Sequence, residues 1–153
     1  MKTFITAVIL ALIIVLSAAW AAQTQASYTP EDIFTVVNKN RPKPLIMNSE
    51  LSRAAQDKAN MLISCGCFSH TINGKQFFSV IQDHKISYLN AGENLALGFD
   101  NTDDLNTAWM NSPTHRANIL FPYTETGIAV AKGMYQGKET IFVVQLFITP
   151  LTK

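Results

Sequence analysis

The chain has 153 residues, and its 12 Lys and Arg side chains nearly balance 11 Asp and Glu side chains. A chain of this length accommodates one compact domain with a substantial apolar core. No polybasic run occurs in the sequence. This argues against nucleic acid as a partner and against electrostatic docking to a membrane.

Residues 1–22 are predicted to be a signal peptide. Lys2 precedes an apolar run over residues 4–19, and Ala19-Trp20-Ala21 has the small residues of a cleavage site. The same run approaches membrane-spanning length, so an uncleaved anchor is the alternative. Residues 23–28 then form a short tether, and residues 29–149 form the single domain. We expect an exported, extracytoplasmic protein.

Five helices are predicted after the tether. Four of them begin at a residue whose side chain can cap exposed amides: Thr29, Ser49, Thr102 and Ser112. The second helix carries an apolar stripe from Leu51 to Leu62 and ends near Gly66. The remaining helix spans about residues 75–84, with Phe77, Phe78 and Ile81 predicted to be buried.

Three strands are predicted among these helices. Residues 87–98 are strand-like, with a bend at Gly92 that turns Glu93 and Asn94 inward. Residues 126–131 and 140–148 form two further strands, joined by a hairpin turn over residues 135–138. Strands and helices do not alternate regularly, so the order predicts an α+β protein with an antiparallel sheet covered by helices.

Both cysteines lie in the tripeptide Cys65-Gly66-Cys67. A pair with this spacing cannot staple distant parts of a fold. It could close a strained local ring, cross-link to a partner or ligate metal weakly, or be two small half-buried residues at a helix end. No thioredoxin-like sequence flanks the pair, which argues against a redox enzyme.

Three polar residues stand in apolar surroundings: His70, Glu93 and His115. We expect His115 in the first turn of the fifth helix, where the helix dipole favours the neutral imidazole. Two imidazoles and a carboxylate could bind a divalent cation, zinc above all, with a position open for water or substrate. They could equally form a hydrogen-bonded polar cluster. No Gly-x-Ser-x-Gly elbow or Gly-rich phosphate loop is present.

Five sequence blocks occur in a characteristic order: residues 68–70 (FSH), 91–96 (AGENLA), 109–120 (WMNSPTHRANIL), 127–131 (GIAVA) and 145–147 (QLF). In order and spacing they resemble the bacterial branch of the CAP superfamily, also called the SCP domain, over roughly residues 29–147. The resemblance implies an α-β-α sandwich with a central antiparallel sheet. It also implies a cleft in which two histidines and two acidic residues converge.

The resemblance assigns His70, Glu93 and His115 to this cleft. The fourth position, a glutamate three residues after the tryptophan in many relatives, is Ser112 here; Glu125 is a nearby but weak substitute. We expect a non-catalytic binding module for a lipid or cell-envelope glycan, with a divalent cation at His70 and His115. The alternatives are a metal-assisted, peptidase-like hydrolase in which Glu93 activates water, and a structural envelope protein tethered by its leader.

Overall fold

A computed structural model describes residues 28–151, so the predicted leader and residues 23–27 lie outside the described residues. The elements follow in the order α1 Pro30–Asn38, β1 Ile46–Met47, α2 Ser49–Cys65, α3 Phe78–Asp83, β2 Tyr88–Leu97, α4 Thr102–Asn111, α5 Pro113–Leu120, β3 Glu125–Tyr135 and β4 Lys138–Pro150. Across this part of the chain, no helix is long and apolar enough to span a membrane.

Four of the five helix starts agree with the sequence to within one residue. Thr29 and Asp32 form the capping box of α1. The caps of α2 and α4 are Asn48 and Asn101, each one position before the predicted residue. Asparagine caps as well as serine or threonine does, and its side-chain oxygen reaches the amide three residues ahead. Ser112 occupies the cap position of α5, but its side chain makes no capping hydrogen bond.

The third helix is shorter than predicted. Ile72 and Lys75 exchange backbone hydrogen bonds in a tight turn, so the residues before Phe78 are not free to continue a helix. Phe78 is 36% exposed, contrary to prediction, and Val80 is buried in its place. His84 follows α3, with its ring nitrogens 2.6 Å from Glu50 Oε1 and 2.8 Å from Asp57 Oδ2. These contacts hold α3 against α2.

The four strands form one sheet in the order β1-β3-β4-β2. The three long strands pair antiparallel as predicted. The two-residue β1 was not predicted, and it pairs parallel to β3. Gln136 and Gly137 both have positive φ, which is typical of the hairpin turn expected between β3 and β4. The irregularity in β2 lies between Tyr88 and Asn90 rather than at Gly92.

Side chains alternate across the sheet, and each face packs against helices. On one face the buried residues of β4 join α2 and α3: Phe142, Val144, Leu146 and Ile148. On the other face Val143 and Phe147 join residues of α1, α4 and α5. Helices therefore cover both faces, which confirms the α-β-α sandwich. Tyr28, the last residue of the predicted tether, is buried in the second core, and its hydroxyl donates to the Phe99 carbonyl at 3.1 Å.

One side chain of the connector between α1 and β1, that of Arg41, holds the end of α5 in place. The Arg41 guanidinium donates to the carbonyls of Ile119, Phe121 and Tyr123. The last carbonyls of a helix have no partner within it, so a forked cation is well suited to satisfy them. Ile119 is buried as predicted, whereas Leu120 is exposed. Arg41 thereby helps to hold the helix that carries His115.

Candidate functional site

The predicted site residues meet at the outer edge of β2, an edge strand of the sheet. Side chains from α4 and α5 cover this edge. The Trp109 indole N–H donates to the Leu95 carbonyl at 3.1 Å, and the Asn118 amide donates to the Glu93 carbonyl at 3.0 Å. These bonds satisfy carbonyls that have no neighbouring strand. They also fix where α5 lies relative to β2.

Consecutive residues of β2 send their side chains to opposite faces of the sheet. Glu93 points toward α2, where its carboxylate is 1% exposed. Asn94 points toward α5, where its amide donates to the His115 carbonyl at 3.2 Å and accepts from Asn118 at 2.9 Å. The polar residues of the predicted bend are therefore buried, although the strand continues through them.

Glu93 holds His70 at the mouth of the site. Glu93 Oε1 lies 2.7 Å from His70 Nδ1, and the His70 side chain is 55% exposed. When Glu93 is ionised, Nδ1 carries the proton that it donates. The other ring nitrogen, Nε2, is then free to accept a hydrogen bond or to bind a metal.

Lys58 is the buried counter-ion of Glu93. Its Nζ lies 3.9 Å from Glu93 Oε2 and donates to the His70 carbonyl at 2.8 Å. Burial raises the pKa of Glu93, against the opposing effects of His70 and Lys58. Burial also lowers the pKa of Lys58, against the opposing effect of Glu93. Both shifts have the same origin, which is the cost of removing a charge from water.

His115 lies in the first turn of α5, as predicted, and is half-buried. Burial lowers the pKa of its imidazole, and the nearby His70 lowers it further. This direction agrees with the neutral form expected from the helix start, but burial is the leading cause. Its ring centroid lies 6.4 Å from that of Trp109.

The three predicted residues line one pocket of about 330 Å³, called the polar pocket below because most of its lining residues are polar. The same pocket is lined by Gln76 and Phe77, which precede α3, and by Asn118. A second pocket, of about 320 Å³, lies on the other side of His115. Its lining is largely apolar: Phe68, Leu95, Ala96, Leu97, Phe99, Ala108, Trp109 and Ser112, together with His115 itself. His115 thus lines both the polar pocket and the apolar one.

The structure places Glu93 behind His70 rather than beside it as a third cation ligand. Among residues 28–151, no three His, Cys, Asp or Glu side chains form a group that could hold a metal ion. Glu93 binds the ring nitrogen of His70 rather than facing the pocket as a free ligand. A carboxylate in that place is typical of the support behind a metal-binding histidine. Metal binding at His70, His115 and Glu93 stays a prediction.

The fourth acidic residue of the cleft is absent from this site. Ser112 lines the apolar pocket instead. Glu125 accepts a hydrogen bond from Asn48 at 2.6 Å, at the start of α2, and lines neither pocket. Glu125 therefore does not replace the missing carboxylate.

Two residues of the site were not predicted, Lys58 and Asn118, and Asn94 was predicted to point inward but was given no role. Lys58 occupies a position on the apolar stripe of α2, between Ala55 and Leu62. A lysine at such a position signals a buried partner, because an unpaired buried charge is costly. No comparable signal marks Asn118, whose role depends on how α5 lies against β2.

Three features together indicate the class of protein: an α-β-α sandwich, two histidines at the edge of its sheet, and a buried carboxylate beside them. Residues 38–147 match the family model described as CAP, the cysteine-rich secretory protein family. The chain belongs to this family, which confirms the resemblance drawn from its sequence blocks.

Among curated proteins, the uncharacterized protein YkwD of Bacillus subtilis (strain 168) is 32% identical over 114 residues. The match covers 71% of this chain and 44% of that protein, so this chain spans less than half the length of its relative.

Two solved structures share the fold. An outer surface protein from Borrelia burgdorferi has a TM-score of 0.68 at 23% identity, covering 81% of this chain and 96% of that one. An extracellular protein containing an SCP domain from Bacillus anthracis str. Ames has a TM-score of 0.64 at 26% identity, covering 77% of this chain and 39% of that one.

Proposed function

We propose that this protein is an exported CAP-domain binding module whose cleft holds an amphipathic cell-envelope ligand, a lipid in preference to a glycan. The observation that carries the proposal is the pair of pockets sharing His115. An amphipathic molecule has one polar and one apolar end, and its two ends match the two linings. Ligand sites in general combine apolar walls with a few placed polar groups.

A divalent cation, zinc by preference, completes the proposed polar pocket. His70 and His115 supply two imidazole nitrogens, and Glu93 orients the first of them. The remaining coordination positions are open to water or to a polar ligand group. The ligand and the cation would then share one pocket.

The arrangement of Glu93 supports binding rather than hydrolysis. A hydrolytic carboxylate must reach a water molecule beside the metal. Here one carboxylate oxygen accepts from His70, and the other is buried on the side of Lys58. In this arrangement Glu93 supports His70 rather than a water in the pocket. The missing fourth acid also removes the second carboxylate of an acid–base pair.

Metal binding is tested by titrating zinc into the wild-type chain and into the His70→Ala/His115→Ala variant. We expect about one zinc ion per wild-type chain and an affinity loss of about tenfold or more in the variant. His84→Ala is the matched control, since it removes a histidine outside the cleft. Equal zinc binding by all three proteins would rule out the cation site. Zinc-dependent peptide turnover that disappears in Glu93→Gln would favour the hydrolase instead.

Ligand binding is tested by calorimetry with lysophosphatidylglycerol, a single-chain lipid, and with a chitin tetrasaccharide. Ala108→Leu fills the apolar pocket, whereas Thr107→Leu places the same side chain on the exposed surface of α4. We expect the lipid to bind the wild type and Thr107→Leu, and to bind Ala108→Leu several-fold more weakly. Equal lipid affinity of the wild type and Ala108→Leu would rule out the apolar pocket as the lipid site. Binding of the tetrasaccharide alone would favour a glycan.

Export is supported by the solved relatives, since one is an outer surface protein and another is an extracellular protein. The mass of the N-terminal peptide from cells of the source organism separates two outcomes. A chain that begins near residue 22 or 23 indicates cleavage and release. A chain that retains residues 1–22 indicates the tethered alternative.

A further inference from the structure

A disulfide bond joins Cys65 to Cys67 at the C-terminal end of α2, with the Cα atoms 5.2 Å apart. Of the alternatives that the sequence left open for the two cysteines, the structure shows the local ring. Gly66 between them has φ 59° and ends the helix. The Gly66 N–H donates to Ile63 O, and the Cys67 N–H donates to Leu62 O. These two backbone bonds already close the helix end.

This disulfide contributes little to holding the fold together. The stabilisation that a cross-link provides grows with the number of residues in the loop it closes. Here the loop contains only Cys65, Gly66 and Cys67, so the cross-link adds little to the free energy of unfolding of the whole domain. Its restraint is local and acts on Cys67 and the residues that follow it.

The bond is open to attack from solvent. Cys65 and Gly66 are exposed, and Cys67 is half-buried. A Cβ built on Gly66 meets no atom within 4 Å, so the outer side of the ring is unobstructed. Thiol–disulfide exchange needs this kind of access, since a thiolate must reach one of the two sulfur atoms.

The ring also adjoins the segment that lines both pockets. Cys67 packs against the core beneath α2. Phe68 follows it and lines the apolar pocket, and His70 lines the polar pocket. At its far end the segment is held by the bond from Lys58 to the His70 carbonyl. Residues 68–70 are thus anchored at one end by Cys67 and at the other by Lys58.

We propose that Cys65–Cys67 is a thiol-exchange site for an external protein dithiol, and that its reduction loosens residues 68–70. The thiolate of the dithiol attacks Sγ of Cys65, so a mixed disulfide forms and the Cys65–Cys67 bond breaks. Cys67 leaves as a thiolate and takes up a proton. The second thiol of the partner then attacks the mixed disulfide and releases Cys65, which is protonated in turn. The partner ends as a disulfide, having supplied two electrons.

This role makes the chain a substrate of a redox partner rather than a redox enzyme. It is therefore compatible with the absence of a thioredoxin-like sequence around the cysteines. It is also independent of which ligand the cleft binds.

The first test counts free thiols by alkylation with iodoacetamide and intact mass, using the full chain purified without reductant. We expect no label in the native protein, and two labels per chain after treatment with dithiothreitol in the absence of denaturant. The far-ultraviolet circular dichroism should stay unchanged. Labelling without dithiothreitol would contradict the disulfide. A need for denaturant, or loss of the helical spectrum on reduction, would overturn the exchange site.

Single variants test which sulfur is attacked. With oxidised glutathione as the probe, the exposed Cys65 thiol of Cys67→Ser should form a mixed disulfide several-fold faster than the half-buried Cys67 thiol of Cys65→Ser. Equal rates, or the reverse order, would contradict attack at Cys65.

Hydrogen exchange monitored by mass spectrometry tests the effect on the cleft. We expect amides in residues 68–71 to exchange several-fold faster in the reduced chain and in Cys65→Ser/Cys67→Ser than in the oxidised chain. Peptides from β4 serve as the internal reference and should not change. Unchanged exchange at residues 68–71 would show that the ring does not control the segment, even if reduction itself proceeds.

Discussion

At the scale of single residues, the buried pair of Lys58 and Glu93 dominates the electrostatics of the cleft. Lys58 is 2% exposed and Glu93 is 4% exposed. Their charged groups are 3.9 Å apart, too far for a direct hydrogen bond. Each instead holds His70, one by its carbonyl and the other by its ring. The pair therefore positions a histidine of the cleft as well as compensating two buried charges.

Removing either partner should be costly, because it leaves the other charge buried and unpaired. We expect Lys58→Met and Glu93→Leu each to lower the free energy of unfolding by about 3 kcal/mol. The double variant should lose clearly less than the two single variants together. Urea unfolding measures all three. Lys75→Met, at an exposed position, is the control and should change stability by at most about 0.5 kcal/mol. Additive losses would mean that the two charges do not interact.

His115 should make stability depend on pH in a defined direction. Its pKa in the folded chain is below the ordinary 6.5, so at pH values between the two the unfolded chain binds more protons. Stability then rises with pH through that interval, and this contribution is complete above the unfolded pKa. We expect the difference in free energy of unfolding between wild type and His115→Gln to grow from about pH 5 to about pH 7. Urea titrations at each pH measure the two free energies of unfolding. A difference between them that does not change with pH would contradict the prediction.

At the scale of elements, the site depends on how closely α2 approaches the sheet. Gly127 of β3 faces the start of α2, where a Cβ would lie 2.2 Å from the Leu51 carbonyl carbon and 2.4 Å from the Ser52 nitrogen. Both atoms belong to the backbone, so no side-chain rotation can relieve the overlap. This contact sets the distance of α2, which carries Lys58, from the sheet that carries Glu93.

Gly127→Ala should therefore destabilise the domain by about 3 kcal/mol, at the upper end for an overpacked core. Gly133→Ala is the matched control on the same strand. The three atoms nearest to its Cβ would all belong to the Ile63 side chain, the closest at 2.6 Å, so the overlap is with a side chain rather than with backbone. Thermal unfolding should show a clearly larger loss for Gly127→Ala. Equal losses would indicate that helix and sheet separate easily at this point.

At the scale of the whole molecule, Tyr28, the last residue of the predicted tether, is part of the packed domain. Tyr28 is buried, packs into the core formed with α1 and α4, and bonds to Phe99. Burial raises its pKa to about 12. No local sequence pattern predicts this packing of Tyr28.

Two shortened chains test the boundary. A chain that starts at Tyr28 should unfold at the same urea concentration as one that starts at Gln23. A chain that starts at Thr29 should lose about 2 kcal/mol, since it lacks a buried aromatic side chain and its hydrogen bond. Equal midpoints for the chains starting at Tyr28 and Thr29 would place the boundary at residue 29, as the sequence predicts.

Much of the fold could be predicted from local sequence signals. The helix starts, the αL end of α2 at Gly66, the hairpin over residues 135–138 and the long antiparallel strands all have short-range causes. The ordered sequence blocks identified the family and brought His70, Glu93 and His115 into one cleft. These features follow from neighbouring residues or from a pattern that relatives share.

Only the tertiary structure decided what each site residue does. Glu93 is a buried support of His70, paired with Lys58, because β2 turns alternate side chains to opposite faces and α2 covers one of them. Glu125 lies outside the cleft because β4 separates β3 from β2 and because its carboxylate accepts a hydrogen bond from Asn48. His115 lines both pockets because α5 lies against the edge of β2. Such roles depend on long-range packing, which sets distances between residues that no local sequence pattern encodes.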